Sequence, residues 1–291
     1  MTRAQAIGRG LDFLAARQDR DGAWRDFDLP RVGAADSWTT AYVARCVRKA
    51  ARAVTHRAGL AVEAATQFLQ RNRSREGGWS YNASCPPDAD STAQALLLLG
   101  RTHPRDASAL ARFQSLDGGF RTYLWLRDDH PWAQSQPEVT ATALRALLPW
   151  LTPQHRIMRR GCRWLRRSAM NDARSYWWTT SAYTELELLR LHIAMPGART
   201  ISDACTPATS FEAALALECA ILSPVAGREC EAACAALIAQ QCPDGGWPAG
   251  RILKVPDFSA AEGAAFEDER RLFTTATVLS ALSSSRAGGV S

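Results

Sequence analysis

Two acidic side chains, Asp88 and Asp90, stand at the start of a strongly apolar segment. Pro86 and Pro87 end any preceding helix, Asp88 is a favourable N-cap, and the Ala- and Leu-rich residues that follow have high helix propensity. We therefore predict a helix that begins near Asp88. Because the leucines at 96–99 make this helix apolar on every side, we expect it to be buried.

This pair of acids has two interpretations. In the first, Asp88 caps the helix and Asp90 complements its positive N-terminal end, which requires no chemistry. In the second, Asp90 faces a dry cavity, where burial can raise a carboxyl pKa by up to roughly 3–5 units and outweigh the helix dipole, which is worth about 0.3–1 kcal/mol. A carboxylic acid that stays protonated near neutral pH can donate a proton to a weak base such as an alkene.

The composition is that of an ordinary globular protein, with 46% hydrophobic and 22% charged residues among 291. No run approaches the roughly 18 apolar residues of a membrane span, and the first residues lack the apolar block of a signal peptide. We therefore expect a cytoplasmic protein without a transmembrane segment. The net charge of +6 comes almost wholly from arginine, and no stretch interleaves basic and aromatic residues. This disfavours a nucleic-acid partner and favours a small anionic ligand.

The eight cysteines are spaced singly, apart from Cys230 and Cys234. Several lie inside apolar helices, where cysteine behaves as a small buried hydrophobe, so we expect free thiols. Cys230 and Cys234 are one helical turn apart, but no second pair of Cys or His accompanies them. We therefore expect no metal there.

A pattern of one helix, a Gly-aromatic turn and a second helix recurs along the chain. The fourth copy is degenerate and the fifth keeps only its second helix; the copies cover residues 10–44, 65–99, 110–148, 160–183, 210–217 and 237–282. Turn-forming residues at 196–207 stand where the first helix of the fifth copy belongs. We therefore expect eleven or twelve helices.

The first helix of each pair carries charge on one face, whereas the second is apolar nearly all round. This difference predicts an all-α double ring, with the first helices outside and the second helices inside around a central cavity. We assign residues 1–285 to this single domain and residues 286–291 to a disordered tail. If the inner helices begin at one end of the ring, that end gathers Trp38, Asp88, Asp90, Trp177, Trp178, Phe211 and Phe273.

Ordinary core packing is the alternative role for each of these aromatic side chains, because most Trp and Phe residues are buried for that reason. The tryptophans in the turns between paired helices are assigned to packing outright; they are Trp24, Trp79 and Trp247.

The pattern of a glutamine, a glycine and a tryptophan at residues 18–24 and 241–247, with weaker copies ending at Trp79 and Phe120, resembles the QW repeat of the triterpene cyclase family, which includes squalene-hopene cyclase. The resemblance extends over residues 5–283. It implies an (α/α)6 toroid built from helix pairs.

Triterpene cyclases and class II diterpene cyclases carry an Asp-x-Asp-Asp-Thr-Ala motif, and residues 88–93 read Asp-Ala-Asp-Ser-Thr-Ala. The resemblance implies that Asp90 is the proton donor, and we expect Asp88 and Ser91 to orient it. Ser91 replaces the third Asp of the motif. The similar drimane-type sesquiterpene cyclases also lack that residue, since their variant reads Asp-x-Asp-Thr-Thr.

Members of this family usually pair the catalytic barrel with a second domain, whereas this chain corresponds to a single barrel. A partner domain and a homo-oligomer are therefore two alternatives for this chain. The toroid also resembles the beta subunit of protein prenyltransferases, whose zinc site uses an Asp, a Cys and a His. Thr274 stands where that His belongs, which disfavours zinc-dependent protein prenylation.

The resemblance implies a class II terpene cyclase, and the arginine excess favours an isoprenyl diphosphate of 15 or 20 carbons as substrate. Candidate aromatic groups for the carbocation, each worth about 0.5–2 kcal/mol through cation–π attraction, are Trp38, Trp177, Trp178, Phe211 and Phe273. Candidate anchors for the diphosphate are Arg251, Lys254, Arg270 and Arg271. No tightly bound cofactor is expected, although Mg²⁺ assists related class II cyclases by bridging diphosphate oxygens; Asp128 and Asp129 are weak ligand candidates.

The alternative is a toroid without catalytic activity that binds an isoprenoid or a partner protein in the same cavity, with Asp90 as an ordinary helix-terminal acid.

Overall fold

The structure is a computed structural model that describes residues 1–51, 56–101, 103–124, 126, 130–171, 174–194, 207–223, 229–255 and 264–284. Within these residues the chain forms eleven α-helices: α1 (Arg3–Ala16), α2 (Ser37–Ala50), α3 (His56–Arg71), α4 (Ala89–Leu99), α5 (Pro104–Ala111), α6 (Pro137–Leu147), α7 (Arg156–Asn171), α8 (Ala182–Ala194), α9 (Ser210–Leu222), α10 (Glu229–Ala239) and α11 (Leu272–Ser283). Four short strands form two antiparallel hairpins: β1 (Asp26–Leu29) with β2 (Gly33–Ala35), and β3 (Arg251–Val255) with β4 (Ala264–Glu267).

Six of the helices close into an inner ring. Helices α2, α4, α6, α8, α9 and α11 pack side by side in that order, and α11 returns to α2. The other five form an outer layer, in which each packs mainly on the inner helix of the preceding pair: α1 on α11, α3 on α2, α5 on α4, α7 on α6 and α10 on α9. The architecture confirms the predicted (α/α)6 toroid. The predicted turn segment at 196–207 and the predicted tail at 286–291 lie outside the described residues, except for Pro207.

Burial separates the two layers as their sequences predict. Helix α2 buries eleven of its fourteen residues, whereas α1, of equal length, buries five. Helix α11 is buried from Leu272 to Leu282 without interruption. A helix that is apolar all round can be stable only where neighbours surround it, so these segments occupy the inner ring.

The turns between paired helices are built from one repeated set of hydrogen bonds. The side-chain amides of Gln18, Gln114 and Gln241 each donate to a carbonyl in their own turn and to a second carbonyl in the next outer helix. The turn aromatics donate their backbone N–H to a threonine hydroxyl on an inner helix: Trp24 to Thr40, Trp79 to Thr92, Phe120 to Thr140 and Trp247 to Thr275. The turn tryptophans are therefore structural, as predicted.

Glycine is required within these turns. Gly22 has a φ of 93°, and a Cβ there would lie 2.4 Å from the Ala64 carbonyl oxygen. Gly78 has a φ of 85°, and a Cβ would lie 2.8 Å from the Thr92 hydroxyl that accepts the Trp79 N–H. A side chain at either position would push the turn away from its neighbouring helix.

A buried ion network crosses the ring toward the C-terminal ends of the inner helices. Arg190 bonds both Glu187 and Glu218, at 2.7 and 2.8 Å, while Arg145 bonds Glu187 and Lys49 bonds Glu218. Burial alone would raise the pKa of Glu187 and of Glu218, but the surrounding cations lower both to about 2. Paired charges therefore occupy the interior of the ring near the C-terminal ends of the inner helices.

One outer helix carries a net charge as large as that of the whole chain. Helix α7 carries six arginines and no acidic residue, which equals the whole formal net charge of +6. The rest of the chain is therefore balanced in charge. In the described part of the chain, no helix is both long and apolar enough to cross a membrane.

Candidate active site

A cavity of about 280 Å³ opens among the N-terminal ends of α2 and α4. The two hairpins and the loops that follow the turn aromatics complete its walls. Most of the lining is apolar or aromatic, and includes Leu29, Val32, Tyr81, Trp132, Leu253 and Val255. A concave apolar site with a few polar groups is typical of small-molecule binding. The polar groups here are chiefly the acids at the start of α4.

Asp88 is the N-cap of α4, as the sequence predicts. It accepts the backbone N–H of Ser91 on Oδ1 and the Ser91 hydroxyl on Oδ2, both at 2.7 Å. Asp88 is only 3% exposed. This burial raises its pKa to about 6, although the hydrogen bonds from Ser91 oppose the rise. At neutral pH Asp88 is therefore mostly ionised, with both oxygens satisfied.

Asp90 lies in the first turn of α4, and its carboxyl group lines the cavity. Burial raises its pKa to about 8, and the neighbouring charge of Asp88 adds to this, as do Glu138 and Glu187. The indole N–H of Trp38 faces the carboxyl group and lowers its pKa, although the two groups do not reach full hydrogen-bond geometry. At neutral pH Asp90 is mostly a neutral acid, because its surroundings separate its pKa from that of Asp88.

The five aromatic candidates divide into two groups. Trp38 and Trp177 line the cavity. Trp178, Phe211 and Phe273 are buried behind it in a single cluster, where Trp178 lies 5.2 Å from each phenyl ring and 5.8 Å from Trp38 between ring centroids. In this structure the latter three fill the ring interior, which corresponds to the packing alternative.

The two adjacent tryptophans precede α8 instead of starting it as predicted. Helix α8 begins at Ala182, and Trp178 pairs with Leu253 of β3 in an isolated bridge. Successive side chains of an extended segment point to opposite sides. This explains why Trp177 lines the cavity while Trp178 enters the buried cluster.

Three of the four predicted diphosphate anchors donate hydrogen bonds from their side chains to oxygen atoms of the protein itself. Arg270 donates to Asp19 and to the backbone carbonyls of Arg17 and Arg25. Arg271 pairs with Asp244, and Arg251 donates to the Ala265 carbonyl across its hairpin.

None of these three arginines lines the cavity. Lys254 is half-buried in β3, and its backbone N–H donates to the Trp177 carbonyl at 2.8 Å. It too is absent from the cavity lining. Six arginines lie together on α7, in the outer layer.

The metal candidates Asp128 and Asp129 lie outside the described residues. Among the residues that are described, no group of three or more His, Cys, Asp or Glu side chains could hold a metal ion. The described part of the cavity thus offers no carboxylate cage for Mg²⁺.

Sequence reasoning missed the loop residues of the cavity, namely Tyr81, Cys85, Thr122, Tyr123 and Trp132. The available signal is their position: Tyr81 follows the turn aromatic Trp79 by two residues, and Thr122 follows Phe120 by two. Because the turns are anchored to the first turns of the inner helices, the residues just after them reach the cavity.

Solved structures share this architecture. A protein from Actinoplanes is 29% identical, with a TM-score of 0.79 over 97% of this chain and 98% of that one. The type II terpene cyclase MstE from Scytonema is 23% identical, with a TM-score of 0.78 over 97% of each chain. The ent-copalyl diphosphate synthase from Streptomyces platensis is 19% identical, with a TM-score of 0.59 over 85% of this chain and 50% of that one.

This chain has the fold of type II terpene cyclases. No protein-family model matches the sequence, and no curated protein matches it significantly. A shared fold does not by itself establish a shared reaction, so the function has to be argued from the cavity.

Proposed function

We propose that this protein is a class II terpene cyclase, which starts the cyclisation of a linear isoprenoid by protonating an alkene. The observation that carries the proposal is the state of Asp90, a carboxyl group that is mostly protonated at neutral pH and faces an apolar, aromatic cavity. Asp88 lies beside it with both oxygens occupied by Ser91. A structural role explains Asp88 as the N-cap, but a mostly neutral Asp90 does not complement the helix dipole as an anion would.

In the proposed reaction, the proton of Asp90 moves to one carbon of the terminal alkene, whose π electrons form the new C–H bond. The other alkene carbon becomes a carbocation, which the next double bond attacks to close a ring. Asp90 is left as a carboxylate at the N-terminus of α4, where the helix dipole stabilises it. Loss of a proton from the last cation ends the sequence, and a proton from solvent restores the acid.

The cavity suits such a cation because aromatic rings stabilise positive charge without reacting with it. Trp38 and Trp177 line the cavity together with Tyr81 and Trp132. A cation over an aromatic face gains about 0.5–2 kcal/mol, more where water is excluded. We assign the stabilisation of the intermediate to these four rings.

The proposed substrate is an isoprenyl diphosphate of 15 or 20 carbons. Its terminal alkene would lie at Asp90, with the diphosphate at the mouth, because the described lining holds acids and no arginine or lysine. A second class of head group comes from a variant of MstE, whose structure holds geranylgeranyl dihydroxybenzoate as substrate. Mg²⁺ would act only on a diphosphate, and neither the protonation nor the ring closure depends on it.

The test is incubation with farnesyl diphosphate, geranylgeranyl diphosphate, geranylgeranyl dihydroxybenzoate or squalene, with and without Mg²⁺. Phosphatase treatment and mass spectrometry then separate cyclised from linear products. We expect a cyclic product that Asp90→Asn does not form. If every substrate stays linear, the chain is a non-catalytic toroid that binds an isoprenoid or a partner protein.

A further inference from the structure

Glu138 is the structural counterpart of Asp90 on the neighbouring inner helix. Each lies two residues before the threonine that accepts a turn aromatic's backbone N–H, Thr92 on α4 and Thr140 on α6. Because α4 and α6 are adjacent in the ring, these matching positions place the two acids at the same level. The same first-turn position therefore carries an acid on two adjacent helices.

The surroundings of Glu138 differ from those of Asp90. Glu138 is 3% exposed, and its Oε1 accepts the backbone N–H groups of Tyr176 and Trp177, both at 2.7 Å. Its Oε2 is buried and has no hydrogen-bond partner among the described residues. Burying a carboxyl group with one oxygen unpartnered is unfavourable, so the two backbone N–H groups held by Oε1 have to offset that cost.

The backbone that Glu138 holds belongs to a cavity wall. The Trp177 indole N–H donates to the Thr122 hydroxyl at 3.0 Å, and both residues line the cavity. The Thr122 carbonyl accepts the backbone N–H of Ala89 at 3.0 Å, one residue before Asp90. Hydrogen bonds thus run from Glu138 through Trp177 and Thr122 to the start of the helix that carries the acid.

We propose that Glu138 is a positioning residue for the cyclisation, which fixes the indole of Trp177 against the cationic chain and thereby determines which product forms. This inference rests on the proposed cyclase function. Glu138 does not line the cavity and needs no contact with substrate. Its effect passes through the backbone of Trp177, while Thr122 holds the ring from the other side.

The experiment compares Glu138→Ala with Glu138→Gln, which keeps one oxygen that can accept both N–H groups and replaces the unpartnered Oε2 by an amide nitrogen. For Glu138→Ala we expect an altered product ratio and a kcat lower by about 10- to 100-fold, since a displacement near 1 Å at a reacting centre can cost that much. Glu138→Gln should restore the wild-type product ratio. Thr122→Val, which removes the acceptor of the indole, should change the ratio in the same direction as Glu138→Ala.

Glu212 provides the matched control. It also lies in the first turn of an inner helix and accepts hydrogen bonds from Thr180 and from the Ala208 backbone, but neither of these partners lines the cavity, whereas Trp177 does. Glu212→Ala should leave the product ratio unchanged. Circular dichroism of every variant then separates a loss of folding from a change in product.

The inference is overturned if Glu138→Ala folds and keeps both the wild-type product ratio and kcat. If Glu138→Ala does not fold, Thr122→Val is the test instead. An unchanged product ratio in Thr122→Val then overturns the inference. The proposed function fails by a different result: no cyclisation by the wild-type chain, which removes both claims, or cyclisation that survives in Asp90→Asn.

Discussion

Ser91 occupies both oxygens of Asp88, donating its backbone N–H to Oδ1 and its hydroxyl to Oδ2 at 2.7 Å each. Asp88 is therefore held as an anion with a donor on each oxygen, and its charge discourages ionisation of Asp90 nearby. The serine that departs from the triple-Asp motif is thus a donor to the first acid. Burial is the main cause of the raised pKa of Asp90, and the charge of Asp88 adds to it.

Replacement of Asp90 by asparagine should abolish cyclisation. The amide is close in size and shape to the protonated acid but cannot transfer a proton, and a positioned general acid contributes about 100- to 10,000-fold to a rate. We expect a fall in kcat of at least about 100-fold with an unchanged circular dichroism spectrum. Substantial residual cyclisation would assign the proton to another group.

The cyclisation rate should fall as the pH rises through about 8, where Asp90 loses its proton in the folded protein. The free energy of unfolding should also depend on the ionisation of Asp90. Its pKa is higher in the folded state than the ordinary aspartate value of 3.8, so its contribution to stability is full below about pH 4 and is lost progressively as the pH rises to about 8.

Comparison with Asp90→Asn isolates this effect on stability. The wild-type free energy of unfolding, relative to that of the variant, should decline between pH 4 and pH 8 by at most about 1.4 kcal/mol per pH unit. Denaturant titrations at several pH values measure it. A flat difference would mean that Asp90 ionises in the folded protein as it does in the unfolded chain.

Ser91→Ala should destabilise the protein and lower the pKa of Asp90. The variant keeps the backbone N–H but leaves Oδ2 of buried Asp88 without a donor, a loss of about 1–3 kcal/mol. Without that donor the pKa of Asp88 rises, so less charge stands beside Asp90. We expect the basic limb of the pH–rate profile to move to lower pH, and a wild-type profile in a less stable variant would contradict this.

The cavity-lining and buried aromatics should respond differently to replacement by leucine. Trp38→Leu removes a ring that lines the cavity, and the rate should fall by about 2- to 30-fold, which corresponds to about 0.5–2 kcal/mol of cation–π attraction. Phe211→Leu removes a ring behind the cavity and should lower the melting temperature while the rate per folded molecule is kept. Thermal unfolding and single-turnover rates distinguish the two.

The basic residues near the last hairpin provide a test of head-group binding. Arg270→Gln breaks bonds to Asp19 and to two backbone carbonyls, so the melting temperature should fall while KM for a diphosphate substrate stays the same. Lys254→Gln should instead raise that KM if the diphosphate binds beside β3. If KM rises in Arg270→Gln and not in Lys254→Gln, the diphosphate binds at the start of α11.

Local interactions made much of this molecule predictable from its sequence. The N-cap at Asp88 depends on a side chain and a backbone N–H three residues apart, so the start of α4 could be predicted within one residue. The inner and outer layers follow from how far apolar residues extend around each helix, which is a property of each segment alone. The repeated turns then predicted six pairs in a ring.

Tertiary structure decided what no local pattern encodes. Trp177 and Trp178 are neighbours of one residue type, yet the first lines the cavity and the second fills the ring, because the chain is extended there and β3 pairs with it. Arg270 bonds to an acid 251 positions away in the chain, and only the packed fold brings them together. The protonation of Asp90 is also a tertiary property, since its pKa depends mainly on how much water the other inner helices and the hairpins exclude.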